Sequence, residues 1–264
     1  MRLTIVGCAG SVAGPDSATS CYLLEADADG RTWRMVLDLG SGALGPLQKY
    51  CDPVRVDAVL VSHGHPDHCA DLGALSVLHR YGPAKDEGLP RIPLLAPPGM
   101  DQRIVDISGA EDRNDLKAID FTSLAHGARI SLGPFDITVS RAWHPIPALA
   151  FRIDGPGESA GPGQGGGRVS LVYTGDTDRC DEVDNLAKGC DVLLGEAGWA
   201  HRDVNPPGVH MSGTQVGQLA AESKVGRLIV THVASWVDPR PTLEAAQVHF
   251  PGAVLAVPGA VHAI

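Results

Sequence analysis

The stretch from Val61 to Asp71 reads VSHGHPDHCAD and places His63, His65, Asp67 and His68 within six positions, directly behind an apolar run. Left without a cation, that much imidazole and carboxylate would need relief from charge and desolvation. His63 and His65, alternating at the exit of a strand, can converge on one ion. Asp67 and His68, adjacent and turning into a helix, can reach a second, so the spacing asks for two metals. Imidazole with carboxylate and no thiolate suits Zn²⁺ first, with Mn²⁺ or Fe²⁺ next. In α/β sheets functional side chains collect just beyond the carboxyl ends of strands. The strand exits supply His144 after FDITVSRAW, Asp176 after VSLVYTG, Glu196 after CDVLLG and His232 after RLIVT. Together these residues close a dinuclear site: His63, His65 and His144 for one metal, Asp67, His68 and His232 for the other, and Asp176 as the bridge. Asp38, at the exit of RMVL, is expected to support the motif through hydrogen bonds.

The elements that must position these groups are visible as apolar runs. RLTIVG, CYLLEA, WRMVLDLG, VDAVLVS, RIPLLA, FDITVSRAW, VSLVYTG, CDVLLG, RLIVT and AVLAVPG read as strands, with helix-like stretches at 69–80, 98–109, 179–188, 212–225 and 241–250. Strands come first and alternate with helices later, which argues α/β with helices covering sheets, and no break in composition divides residues 1–264. Ser212 followed by Gln215 has capping-box spacing. The segment 154–168, DGPGESAGPGQGGGR, reads as a mobile hairpin loop.

The chain has 264 residues, 21 Lys+Arg against 31 Asp+Glu and a net charge of −10. That balance lacks the basic footprint of a general nucleic-acid binder, so an anionic substrate must be attracted locally by bound cations. Six scattered cysteines without CxxC or framework spacing read as reduced thiols. No apolar run approaches the ~20 residues of a membrane span, and the expected location is the cytoplasm.

With H-x-H-x-D-H, His144, YTGDT around Asp176 and THVASW around His232, the chain resembles the metallo-β-lactamase fold nearly end to end. EAGW with Glu196 and HMSGTQ with His210 resemble the ribonuclease Z branch and its phosphodiesterase relatives. GCAGSVAGPDSATSCYLL at the N-terminus looks most like a compact actinobacterial subgroup in which cyclic-nucleotide phosphodiesterase activity is known. The resemblance implies a four-layer αββα sandwich, as one domain over 1–264, with the two-metal centre at one edge.

It also implies a phosphodiesterase with Asp67, His210 and Glu196 as catalytic residues and a cyclic nucleotide such as 3′,5′-cyclic AMP as substrate. His210 is expected to give the leaving alkoxide its proton. The nearby helix start should lower its pKa while Glu196 raises it and fixes its orientation, leaving it near its working range. Family members commonly dimerise, so a homodimer is expected.

Three alternatives remain at this point. A tRNA 3′-end endonuclease would need an RNA-holding arm between His144 and Asp176, where this chain has a short segment carrying Asp154 and Glu158 against Arg168; extended RNA is therefore disfavoured. A noncatalytic metal-binding regulator would be favoured by missing ligands, and none is missing. β-Lactam hydrolysis needs no Glu196–His210 pair. His79, His126, His249 and His262 read as surface or structural residues, whereas His201 lies between Glu196 and His210 and stays open.

Overall fold

The computed structural model describes residues 1–109, 113–158, 167–199 and 205–264. The architecture rests on two seven-stranded sheets. In the first, the strands Val261–Ala263, Arg2–Gly7, Cys21–Ala28, Arg31–Leu37, Ala58–Leu60, Ile92–Ala96 and Ile119–Ser123 lie side by side in that order. In the second the order is Val254–Leu255, Arg227–Thr231, Val192–Glu196, Arg168–Tyr173, Leu149–Pro156, Phe135–Arg141 and Arg129–Leu132. Both follow one plan, with three antiparallel pairs at one end and three parallel pairs at the other. Parallel neighbours need a crossover. The helices Leu72–Tyr81 and Met100–Ser108 provide it in the first sheet, and Asp181–Ala187, Gly213–Glu222 and Pro239–His249 in the second.

Side chains alternate across a strand, and here both faces of the parallel strands are buried, which is why they read as unbroken apolar runs. Ala58 and Leu60 face the space between the sheets, where they join Tyr22, Phe151, Tyr173 and Leu194. Val59 and Val61 point the other way, onto Leu72, Leu75 and Ile104 of the covering helices. In the second sheet Leu193 and Leu228 pack in the same manner against Val216 and Leu219. Helix, sheet, sheet and helix thus form the four-layer αββα sandwich that the resemblance implies.

Several boundaries differ from the sequence reading. The helix placed at 69–80 is two, Pro66–Cys69 and Leu72–Tyr81, because Pro66 takes the first helical position and starts the turn three residues early. Asp67 and His68 therefore belong to a helix and not to the loop before it. Asp154 and Arg168 lie in strands that pair directly, with the register reaching Pro156↔Arg168; residues 159–166 of the glycine-rich segment fall outside the described residues. The C-terminal residues are not a tail, since His262 pairs with Leu3 in an edge strand. The capping box at Ser212 forms in both directions, with Gln215 N donating to Ser212 Oγ at 3.3 Å and Ser212 N to Gln215 Oε1 at 2.9 Å.

The fold brings the exits of strands from both sheets to one edge. Leu39 N donates to His68 O at 2.9 Å, tying the segment behind Arg31–Leu37 to the short helix. At Gly40 a Cβ would sit 1.9 Å from the Asp67 carbonyl oxygen and 2.2 Å from Thr19 Oγ1, so any side chain must push the helix away. Gly40→Ala is expected to destabilise the fold by about 1–3 kcal/mol through this overpacking. Thermal denaturation measures it, and an unchanged Tm would show that the helix tolerates the shift.

Candidate metal centre

Four of the ligand candidates follow a strand directly or within a few residues. His63 follows Ala58–Leu60, His144 follows Phe135–Arg141, Asp176 follows Arg168–Tyr173, and His232 follows Arg227–Thr231 with a left-handed backbone at φ +61°. His65 precedes the helix that carries Asp67 and His68. Two groups that share Asp176 result, His63, His65, His144 and Asp176 in one, Asp67, His68, Asp176 and His232 in the other, and a third joins Glu196, His210 and His232; in each, one donor atom from every residue lies within 4.8 Å of the others. The first two groups contain all seven ligand candidates of the sequence reading.

The donor geometry is that of atoms aimed at a shared centre. His65 Nδ1 lies 3.0 Å from both His63 Nε2 and His144 Nε2, and His68 Nε2 lies 3.1 Å from His232 Nε2. Ligands about 2.0–2.1 Å from a tetrahedral cation are separated by about 3.3 Å, so these gaps have the scale of coordination edges. Asp176 Oδ1 is 3.2 Å from His68 Nε2 and 3.3 Å from His232 Nε2, while its Oδ2 is 3.6 Å from His63 Nε2. Each carboxylate oxygen therefore faces one group, as a bridge requires. Asp176 Oδ1 is buried and has no hydrogen-bond partner among the described residues. An unsatisfied buried anion is expensive, and a cation is what this donor set would satisfy it with.

Hydrogen bonds around the two groups fix which nitrogen points inward. His68 Nδ1 donates to Asp38 Oδ2 at 2.7 Å, leaving Nε2 for the site. His144 Nδ1 donates to the Val209 carbonyl at 2.8 Å with the same effect. Asp38 is fully buried and also accepts from Ser62 N at 2.6 Å, Ser62 Oγ at 2.7 Å and Tyr173 Oη at 2.5 Å. The supporting role expected for Asp38 is therefore present in the geometry, with Ser62 and Tyr173 as partners that sequence alone did not single out. Asp67 Oδ2 accepts from Ser11 N at 2.9 Å. Ser11 holds this candidate ligand carboxylate from a left-handed backbone at φ +64°.

The electrostatics favour cation binding. Burial lowers the pKa of His63, His65 and His144, keeping these imidazoles neutral with their lone pairs free. Burial works against ionisation of Asp67 and Asp176, yet the surrounding histidines outweigh it and hold both below the usual carboxylate range. Burial also opposes the charge on His68, but Asp176 and Asp38 raise its pKa well above the ordinary imidazole value. Without a metal, a proton on His68 offsets part of the negative charge that a cation would neutralise.

Glu196 and His210 form an adjoining pair. Glu196 is buried and accepts from Thr177 N at 2.9 Å, Gly198 N at 2.6 Å, Met211 N at 3.3 Å and His210 Nδ1 at 3.0 Å. Held by these four N–H groups, the carboxylate orients the His210 ring. The His210 ring stands 5.3 Å from that of His232 and 5.6 Å from that of His144. Burial lowers the His210 pKa, but Glu196 and Asp176 outweigh it and push it up to about 9. The sequence reading placed this group nearer neutrality on account of a helix start. That helix begins only at Gly213 and Ser212 caps it, so the carboxylate at 3.0 Å dominates. His79 donates to Pro90 O, away from the site, and His201 lies outside the described residues.

This metal-binding architecture has a recognised family. Residues 34–233 match the beta-lactamase superfamily domain. The chain belongs to that superfamily of metal-dependent hydrolases. An uncharacterized protein of Mycobacterium tuberculosis is 38% identical over 260 residues, 97% of this chain and 89% of the relative, in keeping with the actinobacterial resemblance. The crystal structure of the metallo-β-lactamase-fold protein YhfI from Bacillus subtilis superposes with a TM-score of 0.80 at 26% identity, covering 99% of this chain and 98% of that one. The short form of human tRNase Z shares the fold at a TM-score of 0.71 and 18% identity, over 100% of this chain and 99% of that one.

Asp38→Asn keeps the size of the side chain but removes the charge that aligns His68. Loss of such a supporting partner costs about 10–100-fold in metal affinity. Competition with a chromophoric chelator measures this, and the loss should fall on the ion held by His68 while the ion held by His63 is spared.

Proposed function

We propose that this hydrolase is a dinuclear phosphodiesterase acting on small phosphodiesters, with a cyclic nucleotide such as 3′,5′-cyclic AMP as substrate. The reading includes a cytoplasmic homodimer, Zn²⁺ as the metal and the seven ligands His63, His65, Asp67, His68, His144, Asp176 and His232. The observation that carries it is the Glu196–His210 pair set against the two donor groups. Such a pair serves a reaction whose leaving oxygen needs a proton, as an alkoxide from a sugar ester does.

Bound by the two donor groups, divalent cations would lower the pKa of a water and neutralise phosphate oxygens. The rest of the chemistry belongs to the chain. Asp67, held by Ser11 N–H and lying 3.1 Å from His232 Nε2, fixes the carboxylate side of one group. Glu196 holds the Nδ1–H of His210, so the proton on Nε2 faces away from the pair and is available to the leaving oxygen. The Glu196 carboxylate at 3.0 Å favours the protonated form of that ring.

Extended RNA is a poorer fit. Between His144 and Asp176 the chain forms the antiparallel pair Leu149–Pro156 and Arg168–Tyr173, leaving only residues 157–167 to connect them. The net charge of −10 offers no broad basic surface for a long polyanion.

The test compares substrates side by side. The metal-loaded protein should turn over 3′,5′-cyclic AMP or a 2′,3′-cyclic nucleotide and cleave precursor tRNA poorly; efficient tRNA cleavage with inert cyclic nucleotides would contradict the proposal. His210→Ala should slow alkoxide-leaving substrates by about 10²–10⁴-fold, and a 4-nitrophenyl phosphodiester far less, since nitrophenolate departs without a proton. Equal losses on both would remove His210 from the acid role.

A further inference from the structure

A slot of about 340 Å³ opens beside His65, at the lower end of the range for small-molecule sites. Pro97, Pro98, Met100, Ile146 and Pro147 line it, together with Arg103. Gly64, between two ligand histidines, forms the floor. A Cβ there would lie 3.7 Å from Arg103 Cγ and 3.9 Å from both Ile146 Cδ1 and Met100 Cε, so the three side chains converge over a residue that has none.

Arg103 is half-buried and donates from Nε to Gly64 O at 2.8 Å. Among the described residues no carboxylate forms an ion pair with it, although the protein carries ten more acidic than basic residues, 31 against 21. A guanidinium anchored through Nε keeps its terminal N–H groups as donors, and a guanidinium has no acceptor to offer.

We infer that this slot receives the planar heterocyclic base of a nucleotide substrate, with Arg103 donating to the acceptor edge of the ring. The inference deepens the phosphodiesterase reading and rests on it. Three proline rings, a thioether and a branched aliphatic chain suit the faces of a flat ring. A sugar lodged there would leave its hydroxyls against apolar walls. A second phosphate would bring its charge to a wall whose one cation, among the lining residues, is Arg103. The position beside His65 puts the base next to the donor groups, where the phosphodiester would be held.

Equilibrium binding to the metal-loaded protein tests this without relying on turnover. Calorimetry with adenosine 5′-monophosphate and with ribose 5-phosphate compares the same phosphate with and without a base. The base should strengthen binding by about tenfold or more. Ile146→Trp fills the slot and should bring the two affinities together. Arg103→Met keeps the apolar stem and should reduce the advantage of the base. Equal affinities in the unaltered protein, or variants that weaken both ligands in parallel, would overturn the inference. Turnover of 3′,5′-cyclic AMP on the same preparations separates the two claims. A base advantage without turnover contradicts the phosphodiesterase reading alone, and turnover without a base advantage contradicts the slot alone.

Discussion

One buried carboxylate sets the terms for the rest of this structure. Asp176 presents one oxygen to His68 and His232 and the other to His63, and among the described residues its Oδ1 has no hydrogen-bond partner apart from these ring contacts. A negative charge in that position is tolerable only if positive charge is brought to both of its faces. The two-sheet architecture is what makes this possible, because Asp176 and His232 leave the second sheet while His63, and Asp38 behind it, leave the first. Moving either sheet by a fraction of the donor spacing would separate the groups, so packing between the sheets and geometry at the centre are one problem.

The support for the donors is distributed unevenly, and that unevenness has a physical meaning. His68 is held by a fully buried carboxylate that also ties down Ser62 and Tyr173, so its ring has a fixed direction. His144 is held by a backbone carbonyl and Asp67 by a backbone N–H. Side-chain substitution can therefore disturb the first anchor directly, whereas the others fail only if the backbone moves. Asp38 itself sits in a left-handed backbone at φ +57°, a conformation of short polar residues that its four hydrogen bonds overdetermine.

Much of the candidate centre was legible in the sequence because its candidate ligands are either clustered or regularly placed. His63, His65, Asp67 and His68 occupy one short segment, and His144, Asp176, Glu196 and His232 all follow recognisable apolar runs. Helix 213–222 was announced by Ser212 and Gln215, which bond only locally. The contacts that remained hidden join residues far apart in the chain through groups without a distinctive pattern. Ser11 contributes a backbone N–H, which every residue except proline has. Tyr173 looks like any strand aromatic until its hydroxyl meets Asp38 across the interior. The strands Ile119–Ser123 and Arg129–Leu132 were missed because edge strands bury less and so carry a weaker apolar signature. The pKa of His210 lies above the range expected from sequence because the Glu196 carboxylate is in direct contact, a distance that sequence does not give.

The central claim is that the two donor groups hold two cations bridged by Asp176. Elemental analysis of the purified protein, with and without Asp176→Ala, tests it most directly. The account predicts about two transition-metal ions per chain in the unaltered protein and a clear loss from the variant, since both ions share that ligand. At most one tightly bound ion per chain, with metal content indifferent to Asp176→Ala, would contradict it.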